Sequence, residues 1–263
     1  MATLVASSGS SSESSSTAAS ASSTGSAASA TTAQSPTKSS PSSPKLAKNV
    51  RMESASCEDE VIEFLREHFI ANEPILSSLR ISNMEEIGVL LTDVVRDCAS
   101  CPASNIIRDS NSGQLLGVCL ASRASLFEKQ MDRLFCYEFT DPQLHIAIEF
   151  LKSVFNRADV TYHLEENHVF KPVFVAIIAV HPKHWSKGYG SALLEACLNS
   201  AREDRCDGAL ALCSSSRASH MMLKKFTNVV CRTRYCDYRG ECRQPPISPP
   251  EPDSAIHVLL TKL

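Results

Sequence analysis

The chain has 263 residues, a formal net charge of −3 and a sequence pI near 6.2. That balance sets up no global field for a polyanion. Its longest basic patch, Lys224 and Lys225 with Arg232, Arg234, Arg239 and Arg243, is interspersed like a solvated face, so no nucleic-acid partner is expected. No apolar run approaches the roughly 20 residues of a membrane span, so no membrane partner is expected either.

Up to Val50 the chain is mostly Ser, Ala and Thr and holds no aromatic residue. Such a segment buries too little apolar surface to offset its ordering entropy. Residues 1–53 are therefore expected to be a disordered leader and residues 54–263 one domain with a single core. The leader lacks the apolar stretch of a secretory signal. Its shortage of acids suits an organelle transit peptide, but no Arg precedes Arg51 and no amphipathic period appears. Without a signal, the 11 scattered cysteines point to reduced thiols and a cytoplasmic location. Cys98 and Cys101 have CxxC spacing with no second pair to complete a zinc site, so no metal is expected.

Within the domain, Ser56 before three acids predicts a helix N-cap. Val61, Ile62, Leu65, Phe69 and Ile70 then recur at helical spacing up to Pro74. A second helix is predicted over 84–98. Residues 105–108 and 114–120 flank the turn-rich stretch from Asp109 to Gly113 and predict a hairpin. Residues 142–155 predict a helix and 173–180, the most apolar run, a strand buried on both faces. After a polar loop come a glycine turn at Gly188 and Gly190, a helix to about residue 203, a strand at 208–213 and a helix at 217–226. Strands at 229–235 and 256–260 close the pattern around a proline-rich loop at 245–252. This order describes a mixed α/β domain.

The glycine turn lies between a buried strand and a helix, where unpaired backbone N–H groups and the helix dipole favour an anion. A dinucleotide fold would need a third glycine, and that position is Leu193; a P-loop would need Gly-Lys-Ser/Thr, which is missing. Taken alone, the turn also fits a plain tight connection. Val180 through Gly190, followed by Leu193-Leu194-Glu195, resembles the acetyl-CoA loop of the GNAT superfamily of N-acetyltransferases. That loop usually carries Arg or Gln where this chain has Trp185. The resemblance implies that Ile178, Ala179, Val180, Ser186, Lys187, Gly188, Tyr189, Gly190, Ser191 and Ser215 bind acetyl-CoA as co-substrate, chiefly through backbone.

More of the chain is similar to one branch, the insect-type arylalkylamine (dopamine) N-acetyltransferases. The likeness is carried by Val61-Ile62-Glu63-Phe64-Leu65, Asn72-Glu73-Pro74, Leu116-Gly117-Val118-Cys119-Leu120, Phe155-Asn156, Leu212-Cys213-Ser214-Ser215 and Cys236-Asp237-Tyr238. It implies an α/β acetyltransferase fold: a central mixed, mostly antiparallel twisted sheet, splayed at its middle and flanked by helices. It also implies direct attack of a free amine on the thioester. Such an amine is mostly ammonium at pH 7, so a base must remove a proton; the resemblance gives this role to Glu73, acting through water. A backbone N–H at Val180 would stabilise the oxyanion. Ser214, with Ser219, would supply the thiolate's proton, although direct counting puts Ala218 at the second serine position. Ser215, Ser216 and Ser219 also suit helix capping. Thr227-Asn228 replaces the branch's usual Gly-Phe.

The expectation is an N-acetyltransferase, acting as a monomer on a small amine such as dopamine, serotonin, octopamine or tyramine. A polyamine acceptor and a non-catalytic acyl-CoA-binding domain are the alternatives. The acceptor walls are expected from the first helices and residues 125–142.

Overall fold

The computed structural model describes residues 49–123, 135–240, 245–248 and 254–263. The expected leader, up to residue 48, and most of the expected acceptor-wall segment lie outside the described residues.

A sheet of seven strands, in the order β1-β2-β3-β4-β5-β7-β6, forms the frame. Its strands are β1 (Val50–Ser54), β2 (Asn105–Asp109), β3 (Leu115–Arg123), β4 (Pro172–Val180), β5 (Gly208–Cys213), β6 (Asn228–Arg234) and β7 (Ala255–Lys262). Every pairing is antiparallel except β4 with β5. The helices are α1 (Glu58–His68), α2 (Pro74–Ser78), α3 (Met84–Ala99), α4 (Pro142–Ala158), α5 (Val160–Glu166), α6 (Tyr189–Glu203) and α7 (Ser216–Met222). No described helix is long and apolar enough to cross a membrane.

Strand periodicity assigns the faces. Ile107, Cys119, Ala121, Val173 and Val175 point to one side, where Leu193, Leu194, Cys197 and Leu198 of α6 cover them. Their neighbours Ile106, Val118 and Leu120 point to the other side and meet α1 and α3 through Val61, Leu65, Leu91 and Val95. Along the far strands Phe174, Leu210, Ile256 and Val258 pack under Phe150 and Val154 of α4. Cys98 and Cys101 are core residues of opposite faces.

The sheet opens at its middle. β4 and β5 pair from Pro172 with Gly208 to Val175 with Ala211, and no further. At that same point β4 carries an extra residue against β3, since Leu120 faces Ile177 and Ala121 faces Val175, leaving Ala176 bulged. A bulge bends its strand and adds twist, so β4 turns away from β5. The expected splay is this divergence.

Several local expectations change. The α1 N-cap is Cys57, without a side-chain cap, and not Ser56. The helix stops at His68, and a short 3₁₀ turn, Ile70–Asn72, leads to Glu73. The sheet begins at Val50, ahead of the boundary expected at residue 54. The strand expected to be buried on both faces is only half-buried at Ala176, Ile177 and Ile178, which border the opening.

Candidate active site

Between the diverging ends of β4 and β5 lies a cavity of about 1060 Å³, floored by Val175 to Val180 and by Leu212 to Ser215. That volume is at the upper end of ordinary ligand pockets. Phe69, Leu76, Leu90, Leu151 and Ile177 line both this cavity and a second space of about 230 Å³, whose walls include Phe155 and Phe174. This smaller slot is apolar apart from Asp93 and Asp97 on α3.

Glu73 reaches the cavity because of its place in the chain. Pro74 is the first residue of α2, where its missing N–H costs nothing, and it holds Glu73 in an extended conformation. As N-cap, the Glu73 carboxylate accepts the Leu76 N–H at 2.7 Å. The side chain is nevertheless only 7 % exposed. Burial pushes its carboxyl above the usual range, opposed by hydrogen bonds from the Leu76 N–H, the Ser214 side chain and the Ile75 N–H. Glu73 and Ser214, 141 positions apart in sequence, thus meet across the opening. The Tyr235 hydroxyl donates to the Ser214 carbonyl at 2.6 Å and fixes the strand end that carries this serine.

The loop after β4 provides a curved backbone. Ser186 and Gly188 have φ of 62° and 83°, in the left-handed region. The two glycines serve different needs. A Cβ on Gly188 would meet nothing within 4 Å, so its requirement is conformational; one on Gly190 would lie 3.0 Å from Met221 Sδ, so its requirement is the close approach of α6 to α7. The residues fit the phosphates and chain of acetyl-CoA: a β4 edge without a β5 partner, a loop turned through positive φ at the start of a 15-residue helix, and, among the described lining residues, no carboxylate except Glu73.

Of the expected cofactor residues, Ile178, Ala179, Val180, Ser186, Gly188, Tyr189, Gly190, Ser191 and Ser215 line the cavity. Lys187 is not among them; its ammonium lies 3.3 Å from His184 Nδ1. Ser215 caps α7 by accepting the Ala218 N–H at 3.1 Å. Ser219 departs from its expected position. It is 4 % exposed, does not line the cavity, and its hydroxyl lies 3.0 Å from His257 Nδ1. Burial holds the His257 imidazole below its usual pKa. Ala218, the direct-count position, does line the cavity.

Tyr235 and Arg217 had no sequence signal, and Trp185 stood out only as a departure from the Arg or Gln usual in such a loop. The Trp185 indole donates to the Val180 carbonyl at 2.8 Å, and the Arg217 guanidinium carbon sits 4.0 Å from the centre of its ring. The indole bond is local to the loop, whereas the Arg217 and Tyr235 contacts join separate elements.

A splayed, bulged sheet thus surrounds one cavity with a buried carboxylate and a loop turned through positive φ. The family model described as Acetyltransferase (GNAT) family matches residues 160–226. That match marks a GNAT acetyltransferase domain over this stretch, and that family uses acetyl-CoA as co-substrate. No curated protein matches the sequence significantly. Among solved structures, an agmatine N-acetyltransferase mutant is similar with a TM-score of 0.68 at 16 % identity, over 82 % of this chain and all (100 %) of that one. Arylalkylamine N-acetyltransferase 2 from Aedes aegypti gives 0.67 at 17 % identity, over 82 % of this chain and 99 % of that one. A polyamine N-acetyltransferase of Drosophila melanogaster gives 0.66 at 16 % identity, over 81 % and 99 %. At these identities the likeness is one of fold.

Proposed function

We propose that this chain is an N-acetyltransferase that transfers acetyl from acetyl-CoA to a small arylalkylamine of the dopamine, serotonin, octopamine or tyramine type, acting as a cytoplasmic monomer. The observation that carries this reading is the buried Glu73 carboxylate in contact with Ser214, beside a slot of aliphatic and aromatic walls. Acetyl-CoA supplies the activated acetyl group.

This chain's residues handle the protons. Glu73, its pKa raised by burial, accepts a proton from the acceptor ammonium and leaves a neutral, nucleophilic amine. Ser214 gives its hydroxyl proton to the departing sulfur and regains one from protonated Glu73, which restores both groups, while the second proton that the attacking nitrogen sheds as the amide forms passes to solvent. Val180 offers a backbone N–H at the strand end as oxyanion donor. Cys213 borders the cavity, but burial pushes its thiol up to about 12. It stays protonated near pH 7 and is not a nucleophile, which supports direct transfer to the amine. The aromatic ring of the acceptor would occupy the slot near Phe69 and Phe155.

Asp93 and Asp97 border that slot and favour one second reading, an acceptor with another cation, such as a polyamine or agmatine. The deciding assay follows free-thiol release from acetyl-CoA with dopamine, serotonin, tryptamine, spermidine and agmatine. Saturable turnover of the aromatic amines is expected. Turnover of spermidine or agmatine alone would transfer the proposal to polyamines. Acetyl-CoA binding without any turnover would make the domain a binding module.

A further inference from the structure

The two sides of the opening are bridged by one contact that the reaction scheme does not use. Trp185, the single tryptophan of the chain, closes the 3₁₀ turn after β4, and its N–H bond to the Val180 carbonyl fixes the plane of the indole. Arg217 comes from the other side, in the first turn of α7 after β5, and lays its guanidinium over that plane at 4.0 Å. This geometry is a cation–π contact, which is strongest on indole.

Arg217 is exposed, and no carboxylate among the described residues pairs with it. Trp185, Ser186, Gly188 and Arg217 line the same cavity, so the cation faces the space that the positive-φ backbone encloses. Lys224 adds a second cation to the lining. The Glu73 carboxylate already accepts the Leu76 N–H. One wall of this space thus supplies neutral amides and the other a guanidinium. A guanidinium stacked on an aromatic face keeps its edge N–H donors directed outward, the geometry that grips phosphate oxygens bidentately.

We propose that Arg217, aligned by Trp185, is the cation that this chain sets against the diphosphate of the acyl donor. The charge comes from α7 because position 185 of the loop carries none. Trp185 acts as a positioning residue.

The proposal rests on the acetyl-CoA reading, and the test separates the two. Binding of CoA, 3′-dephospho-CoA and S-acetylpantetheine to the full chain is measured by calorimetry, with Trp185 emission as a local probe. CoA and 3′-dephospho-CoA are expected to bind the native protein with a change in emission. Arg217→Ala is expected to weaken both by about tenfold or more, and Arg217→Lys by less, since an ammonium lacks the fork. Binding of S-acetylpantetheine, which has no phosphate, should be the same in native protein and variant. Arg217 is exposed, so its removal should leave the thermal midpoint nearly unchanged. CoA affinity within twofold of native in Arg217→Ala overturns the proposal, as does an equal loss for S-acetylpantetheine. Failure of the native protein to bind CoA overturns the donor reading itself.

Discussion

Glu73 combines helix capping with burial, two demands of opposed sign on its charge. Its carboxylate caps α2, yet burial disfavours its charge. Glu73→Gln is expected to lower kcat/KM on the order of 10²-fold while leaving CoA affinity nearly intact, measured by thiol release and calorimetry. In the native protein kcat/KM should rise with pH through the raised carboxyl pKa, displaced upward from the ordinary value near 4.3; the glutamine variant should lose that limb. Stability follows the opposite sign. The folded-state pKa lies above the unfolded one, so stability is fullest below the unfolded value and is lost as pH rises through the folded pKa. Glu73→Gln should therefore raise the melting midpoint more at pH 8 than at pH 4, by about 2–4 °C per kcal/mol recovered. The serines separate by partner. Ser214→Ala should reduce kcat more than KM, whereas Ser219→Ala, which loses a bond to His257, should affect stability more than turnover. Comparing kcat with thermal midpoint for the two variants tests this. At this scale Glu73 and Ser214 were open to sequence reading because each lies in a short motif, Asn72-Glu73-Pro74 and Leu212-Cys213-Ser214-Ser215. Ser219 was not, because a rotation of about 100° per residue on a short helix decides which neighbour faces the cavity.

Among the elements, the loop and helix that follow β4 depend on two glycines for separate reasons. Gly188→Ala should cost about 1 kcal/mol, because the open space around it does not relieve the positive φ. Gly190→Ala should cost less, since the atom it approaches is the flexible thioether of Met221. Thermal midpoints of the two variants would rank them; the reverse order would refute the assignment. The elements found from sequence were those with strong apolar periods. β1 was missed because its alternation of Val50 and Met52 with Arg51 and Glu53 is only five residues long and follows directly on the Ser-rich leader; it becomes a strand by pairing with β2, where Glu53 meets Arg108. Helix α5 was missed because none of its residues is buried, which leaves no apolar stripe to read.

Over the whole molecule, the last strand occupies the interior of the sheet. β7 lies between β5 and β6, with Ile256, Val258, Leu259 and Leu260 at 0–1 % exposure. Burying such side chains contributes roughly 1.5–3 kcal/mol each, and the net stability of a domain is only about 5–15 kcal/mol. A chain ending at Ser254 should lose cooperative thermal unfolding and expose apolar surface, as followed by calorimetry and dye binding. A cooperative transition in that truncated chain would show that the first five strands form an independent unit.

The sequence by itself determined the class of fold, the order of its main elements and the chemical character of its donor loop. Those properties reside in local periods and short motifs, which contiguous residues express. Only the tertiary structure decided that β4 leaves β5 after Val175, that Glu73 meets Ser214, that Ser219 turns to His257, and that Arg217 lies on Trp185. Each is a contact between segments far apart in the chain or a choice of helix face, fixed by packing and by a single bulge at Ala176.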